Sequence, residues 1–517
     1  MMRQYWALLL LLVMACQTTG DLPSRPNILL FITDDQSFAH VSLAGCAELS
    51  TPNFDRIASE GIWFRQAFAA SPGCSPSRAA LLTGRNCWQL EQAGTHASDF
   101  PAHYQSFPDI LAEEGYLTGY TGKGWGPGNW EKSNRDHNPA GPAYNDLTLE
   151  SPEGISDKDY AGNFAHFLSE RDEGQPFCFW VGTHEPHRRF QWQGDKDKKM
   201  ARVGVPGFLP DTDSVRQDLL DYYHEIEWAD RQLGYMIRLL EDLEELENTL
   251  IIVTSDNGMA FPRAKANVYE YGIHVPMAMR WGDGIAGGQT SDALLSFIDI
   301  APTLVELAGG RSPKEYPMSG KSLMPIFLQK ELPNTRKQVF ASRERHSSSR
   351  YLNRTYPQRA MRSKEFLLIW NPKPERWPAG APQKYGVGNY PSEVQVEAQL
   401  LGPMHWGGYH DIDACPTLDY MITHREEDSV ALLFQAAVGK RPEWELFDLK
   451  EDPLSLFDLS ARPEYHWTLD SLQQTLMTYL KDTQDPRAMG NGDIFESYPR
   501  YSRIRSFPPP GGERLEE

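Results

Sequence analysis

Four short apolar runs punctuate the chain: Ile28–Thr33 (ILLFIT), Phe177–Thr183 (FCFWVGT), Leu250–Thr254 (LIIVT) and Val275–Arg280 (VPMAMR). Each is nearly continuous in apolar side chains rather than alternating, which predicts strands covered on both faces, as in the sheet of an α/β protein. Between them the period changes. From Asp213 to Glu244, residues Leu219, Tyr222, Ile226, Ala229, Leu233, Ile237 and Leu240 recur at steps of three and four, the pattern of a long helix with one apolar face. Phe107–Glu114 predicts a shorter amphipathic helix, and Ala79–Leu82 lies just inside another. A doubly wound α/β layer accommodates this order. Such sheets bind ligands at the carboxyl ends of their strands. Asp34-Asp35, His184 and Asp256-Asn257 each sit one or two residues beyond a predicted strand.

After about residue 355 the texture shifts. Phe366–Trp370 (FLLIW) and Glu443–Asp448 (EWELFD) predict short strands between loops rich in Pro and Gly, and Thr468–Tyr479 predicts a helix. The expected organisation is a leader over 1–20, a large α/β unit over 21–355, and a smaller α+β unit with an antiparallel sheet over 356–517. The tail from Arg487 onward reads as loop or a wrapping arm.

Composition narrows the class. A chain of 517 residues with 40% hydrophobic content, 14 Trp, 22 Tyr and 23 Phe can bury a large core and is too aromatic for a disordered protein. The net charge of −20 argues against nucleic acid or an anionic membrane surface as partner, although a local basic pocket can still receive an anion. Trp6–Ala15, after Arg3, is too short to span a bilayer and fits a signal peptide. Val13-Met14-Ala15-Cys16 resembles a bacterial lipobox with an imperfect Met14, so the expectation is export to the periplasm or cell surface, with possible membrane attachment through lipid on Cys16. The remaining five cysteines are too few and scattered for a disulfide framework or a CxxC zinc site.

The chemistry concentrates at a few points. Cys74 lies in Pro72-Gly73-Cys74-Ser75-Pro76-Ser77-Arg78, a turn before a helix with a cation one turn on, an environment that favours a thiolate. Asp34, Asp35, Asp256 and Asn257 are hard oxygen ligands, suited to Ca²⁺ or Mg²⁺ rather than zinc.

The run C-x-P-x-R, followed by two residues, two apolar residues and Thr83-Gly84, resembles the signature of type I sulfatases. The resemblance covers most of the chain, from Pro26 to about Asp485. It implies an alkaline-phosphatase-like α/β/α sandwich with the smaller C-terminal unit. It also implies that Cys74 is oxidised to formylglycine by a maturation enzyme, oxygen-dependent or anaerobic, and that the aldehyde hydrate is the nucleophile. By the same carry-over Asp34, Asp35, Asp256, Asn257 and modified Cys74 hold Ca²⁺, with Mg²⁺ the lesser candidate. Arg78 steadies the formylglycine, Lys123, His184 and Lys265 contact the sulfate, and His184 is the general acid. The chain departs from the family at one point: many members read G-K-x-H, the His serving as elimination base, whereas here Trp125 stands there. His187 or a water held by Asp35 are the substitutes considered.

His184-Glu185-Pro186-His187-Arg188, Asp256 to Pro262 and the Arg343–Arg362 stretch resemble the heparan N-sulfatase branch most. His187, Arg188, Arg345 and His346 become candidate substrate contacts. Six arginines against Glu344 in Arg343–Arg362 suggest a surface for a polyanionic sugar, from glycosaminoglycan or algal polysaccharide. The expected activity is a carbohydrate sulfatase. The alternatives are a phosphonate or phosphodiester hydrolase with the same motif, and a non-catalytic glycan-binding lipoprotein.

Overall fold

The structure is a computed structural model that describes residues 25–46, 48–191, 200–328, 336–350, 353–382 and 408–502. The expected leader and Cys16 lie outside the described residues. Among the described residues no helix is long and apolar enough to cross a membrane.

Nine strands belong to the first layer: β1 (Asn27–Thr33), β2 (Ile62–Phe64), β3 (Ala67–Phe68), β4 (Leu117–Gly122), β5 (Phe177–Gly182), β6 (Thr249–Ser255), β7 (Met277–Arg280), β8 (Gln289–Ser291) and β9 (Leu295–Ser296). Seven of them form one sheet in the order β4-β5-β1-β6-β7-β2-β8, with β3 and β9 paired beside it. β4, β5, β1 and β6 run parallel, and β7 is antiparallel to both β6 and β2. The continuous apolar run of β1 divides by strand alternation: Ile28, Leu30 and Ile32 enter one core, and Leu29 and Phe31 enter the other. The first core holds Ala79 to Leu82 of the Cys74–Thr83 helix. The second holds Leu233, Met236, Ile237 and Leu240 of the Asp213–Asp242 helix. Helices therefore cover both faces, as the unbroken apolar runs require.

The second sheet is β10 (Gln338–Arg343), β11 (Gln358–Ser363), β12 (Phe366–Trp370) and β13 (Trp444–Asp448), in that order and antiparallel throughout. Its first strand comes from the stretch before residue 355. Leu367, Ile369 and Phe447 face the catalytic layer, and Leu368 and Leu446 face the His466–Asp482 helix. That helix extends the predicted one at both ends.

Two further helices, Pro416–Thr423 and Asp428–Val438, exceed the single helix expected in this region. They place Leu418, Met421, Ile422 and Val430 against Val215, Leu219 and Tyr222 of the long helix. The long helix thus serves two cores, one at each half.

His40 sits 3% exposed among Tyr222, Tyr223 and Tyr271, with ring centroids at 5.2, 5.5 and 6.0 Å. Burial pushes its pKa down from 6.5 to about 3. Between those values the unfolded chain takes up a proton that the folded chain refuses. Stability is therefore full above pH 6.5 and falls on acidification, by about 1.4 kcal/mol per pH unit from this group. His40→Phe should flatten that acid limb. Melting temperatures of both chains at pH 7, 6 and 5 check this, and parallel slopes would refute it.

Candidate active site

The four parallel strands deliver the site. Asp34 and Asp35 follow β1, Lys123 follows β4, His184 stands two residues after β5, and Asp256-Asn257 follow β6. Cys74 is the first residue of a helix whose ten residues are all buried, with Gly73 as its N-cap. A Cβ on Gly73 would lie 3.1 Å from Nδ1 of His346, so glycine lets that ring approach the Cys74 helix closely. The β1 and β6 ends are tied together: Asp256 N–H donates to Thr33 O at 3.0 Å, and Asp35 N–H to Asp256 Oδ1 at 3.1 Å. Asp35 holds a φ of 74°, a left-handed conformation that side chains seldom adopt and that functional sites tolerate.

One ligand atom from each of Asp34, Asp35, Cys74 and Asp256 can be chosen so that all lie within 4.8 Å of one another, all buried. Asn257 completes the set. Its amide nitrogen donates to Asp35 Oδ1 at 2.7 Å, while its buried Oδ1 has no hydrogen-bond partner among the described residues. A buried carbonyl oxygen without a donor, beside three carboxylates, is what a hard divalent cation would satisfy. The residues fit calcium. The thiol sulfur of Cys74 lies 3.4 Å from Asp34 Oδ1 and 3.9 Å from Asp35 Oδ1.

Three cations brace these acids. Lys123 Nζ meets Asp34 Oδ2 at 2.5 Å and Lys265 Nζ meets Asp35 Oδ2 at 2.5 Å. Arg78, fully buried, donates from Nε to Asp256 Oδ2 at 2.8 Å and from Nη1 to Lys123 O at 2.8 Å, and its Nη2 lies 3.8 Å from Asp34 Oδ1, so one guanidinium serves three strand ends. Burial tends to raise Asp34, yet Lys123 and the surrounding cations hold its carboxyl well below the usual range. Cys74 behaves otherwise than its sequence environment suggests. Burial, and then the charge of Asp34, push the thiol far above 9, so the unmodified residue is a thiol and not the expected thiolate.

The histidines differ in placement. His184 is exposed on a cavity of about 670 Å³ that Asp34, Cys74, Lys123 and Lys265 also line. The surrounding cavity walls desolvate its ring and bring its pKa to about 4 against the opposing pull of Asp34, so it enters as neutral imidazole. His187 lines the same cavity, with Nδ1 2.7 Å from Arg188 O and Nε2 3.8 Å from Asp35 Oδ2. His346 lines it too, 4.5 Å ring to ring from His96. Trp125 donates from its indole to Ser75 O at 3.0 Å and packs edge-on against Phe100, which makes it part of the packing behind the Cys74 turn.

The basic stretch is corrected by the structure. Arg343 and Arg350 both engage Asp411, Arg362 engages Glu270 at 3.1 Å, and Arg359 bridges Asp485 and Glu344. Arg345 is buried, donates to Tyr498 O and Pro499 O at 2.8 and 2.9 Å, and is not among the residues lining the cavity. These guanidiniums hold the interior together and do not form an exposed rail. The physical reason is that their carboxylates come from distant segments. Arg188 does reach the cavity, but its guanidinium is held by both oxygens of Asp218 at 2.6 and 2.9 Å and lies between Phe190 and Phe261.

Sequence reasoning missed several members of the site. Asp413 reaches Lys265 at 3.3 Å from a loop with no motif of its own. His96, Glu185, Glu225 and Arg500 line the cavity. Glu185 lay inside the quoted His184–Arg188 motif and could have been singled out. The other three come from separate segments with no local signal.

Residues 26–310 match the sulfatase family, and residues 263–379 match the C-terminal region described as N-sulphoglucosamine sulphohydrolase, C-terminal. The human N-sulphoglucosamine sulphohydrolase is 27% identical over 521 residues, covering 92% of this chain and 93% of that protein. An ulvan-active sulfatase of Formosa agariphila is 27% identical over 527 residues, covering 92% of this chain and 78% of that protein. A solved structure in complex with D-glucosamine-2-N,6-O-disulfate superposes with a TM-score of 0.60 at 20% identity, covering 92% of this chain and all of that one, a likeness of fold. The first match spans more than half of the chain and takes in every metal-type ligand together with Lys123, His184 and Lys265, and the chain belongs to the sulfatase family.

Proposed function

We propose that this sulfatase releases sulfate from a sulfated sugar, of glycosaminoglycan or algal type, with Cys74 matured to formylglycine and Ca²⁺ held by Asp34, Asp35, Asp256 and Asn257. The observation that carries the reading is the meeting of these four ligands, Cys74 and the two lysines at adjacent strand ends. Relatives named for sulfated sugars, including an N-acetylglucosamine-6-O-sulfatase at 25% identity, support the substrate class.

When bound, the cation acidifies the hydroxyl of the aldehyde hydrate, which supplies the oxygen nucleophile. The chain's own residues do the rest. Lys123, beside Asp34, and Lys265, beside Asp35, present ammonium groups to the anion, and charge spreading over the sulfuryl oxygens is stabilised there. Arg78 keeps the strand ends in register without needing to touch substrate. His184, neutral in the free enzyme, gains affinity for a proton when an anion arrives, which suits it to protonate the leaving oxygen or nitrogen. His187, whose Nδ1 donates to a carbonyl, keeps a free lone pair on Nε2 at the Asp35 side of the cavity, which suits it as the substitute for the missing family histidine.

The test is direct measurement of sulfate release across heparan fragments, algal oligosaccharides, an aryl sulfate and a phosphodiester. A rate highest on the phosphodiester would overturn the reading. Removal of metal makes a second prediction. Chelation should cut activity at least about 100-fold and lower the melting temperature, because saturating ligand at about 100 times Kd contributes about 2.7 kcal/mol to the folded state. Ca²⁺ should restore both, and restoration by Mg²⁺ alone would reassign the ion.

A further inference from the structure

Glu225 lies on the Asp213–Asp242 helix, 2% exposed, at the wall of the active-site cavity. Its Oε1 is buried without a hydrogen-bond partner among the described residues. The neighbouring buried acids are satisfied. Asp218, two turns earlier on the same helix, takes both Nη groups of Arg188 and the hydroxyl of Thr417 at 2.6 Å. Glu185 accepts from Ser156 N–H and from Tyr160 O–H, each at 2.9 Å. Arg188, the cation whose charge reaches Glu225, is thus already engaged. Burial, with Glu185 and Asp221 adding like charge, raises the Glu225 carboxyl to about 10. At neutral pH it is a carboxylic acid with one donor and one acceptor. Buried polar groups in folded proteins almost always have partners, so an orphan beside a catalytic cavity calls for a ligand.

We propose that Glu225 is a substrate-recognition residue whose carboxyl exchanges hydrogen bonds with a ring hydroxyl of the sugar whose sulfate occupies the Lys123–Lys265 cradle. The assignment rests on the sulfated-sugar reading above. A hydroxyl is the complementary group because it donates to the carbonyl and accepts from the acid O–H. An ammonium group would demand an ionised carboxylate, which the surroundings oppose. A second sulfate would use the O–H and leave the carbonyl unpartnered.

The experiment compares native, Glu225→Leu and Glu225→Gln chains, matured and calcium-loaded, on N-sulfoglucosamine and glucosamine 6-sulfate and on their 3-deoxy and 4-deoxy analogues. In the native enzyme, one deoxy change should lower kcat/KM about 10–100-fold, the penalty for unpairing a buried group. In Glu225→Leu the parent sugar should lose a similar factor, and the same deoxy change should then cost nothing further. Glu225→Gln, which keeps a donor and an acceptor, should stay within about 5-fold of native. Glu225→Leu should also melt no lower than the native chain, and about 1–3 °C higher, because it removes an unpaired buried carboxyl. A Leu variant that keeps the native deoxy discrimination, or that melts lower and slows on every sugar alike, overturns the assignment. A native enzyme that hydrolyses an aryl sulfate but neither these sugars nor any algal oligosaccharide defeats the sugar reading, and this assignment with it. One that cleaves the sugars and ignores every deoxy change defeats the Glu225 assignment alone.

Discussion

Cys74→Ala should lower sulfate release by roughly 10⁴-fold or more while the chain still folds. The side chain is 1% exposed and sits at the first turn of a fully buried helix, within 4 Å of two carboxylates that the cation would share. Alanine removes one sulfur from that position and keeps the helix, so the stability loss should stay near about 1 kcal/mol. Activity should fall far more steeply, because no neighbouring group can replace the nucleophile. Lys123 and Lys265 are paired ammonium groups, and Arg78 is a strut. The unmodified thiol is itself held protonated by burial, so preparations that escape maturation should be equally inactive. Intact-mass analysis of active preparations should show residue 74 about 18 Da lighter than cysteine, the difference between a thiol and an aldehyde. A Cys74→Ala chain as active as the native one would remove the mechanism.

The largest effect on stability should come from Arg359→Leu, with a loss of about 3–5 kcal/mol. Arg359 is fully buried on β11. Its Nε and Nη2 meet the two oxygens of Asp485 at 2.7 and 2.8 Å, and Nη2 also meets Glu344 at 2.8 Å. Glu344 would keep Arg487 as a partner at 2.8 Å. Asp485, with no exposed surface, would be left with the backbone N–H of Arg487 at 3.1 Å as its remaining hydrogen-bond donor. An unpaired buried carboxylate dominates the cost, so Arg359→Leu combined with Asp485→Leu should recover much of the loss. Melting temperatures of the single and double variants check this, and a double variant no more stable than the single would refute it. The effect should reach the active site. The same region holds the arm through Arg345 and the carbonyls of Tyr498 and Pro499, and Tyr501 N–H donates to Ala97 O beside His96 at 2.8 Å.

Much of the layer architecture was readable because it is a matter of local period. The runs that became β1, β5 and β6 needed only their own side chains to announce burial on both faces, and β7 was announced in the same way. The carboxylates and amide just beyond β1 and β6 followed from that placement. β4 escaped notice because Leu117–Gly122 carries two glycines and lies at the sheet edge, half-buried, where no continuous apolar run is required. Its end nevertheless positions Lys123, which only the family resemblance had singled out.

The basic stretch shows the limit from the other side. Read alone, Arg343–Arg362 is a run of cations with one acid. In the fold, Arg350 finds Asp411 at a separation of 61 residues and Arg359 finds Asp485 at 126, and the apparent binding face closes into an interior. Strand burial, helix period and the chemical identity of the signature residues were thus determined by the sequence itself, because each depends on neighbours a few positions away. Which cations remain open to a ligand, how His96, Glu225 and Arg500 come to line one cavity, and how Asp413 reaches Lys265 were decided by tertiary structure, because charge pairing joins segments whose separation leaves no trace in local pattern.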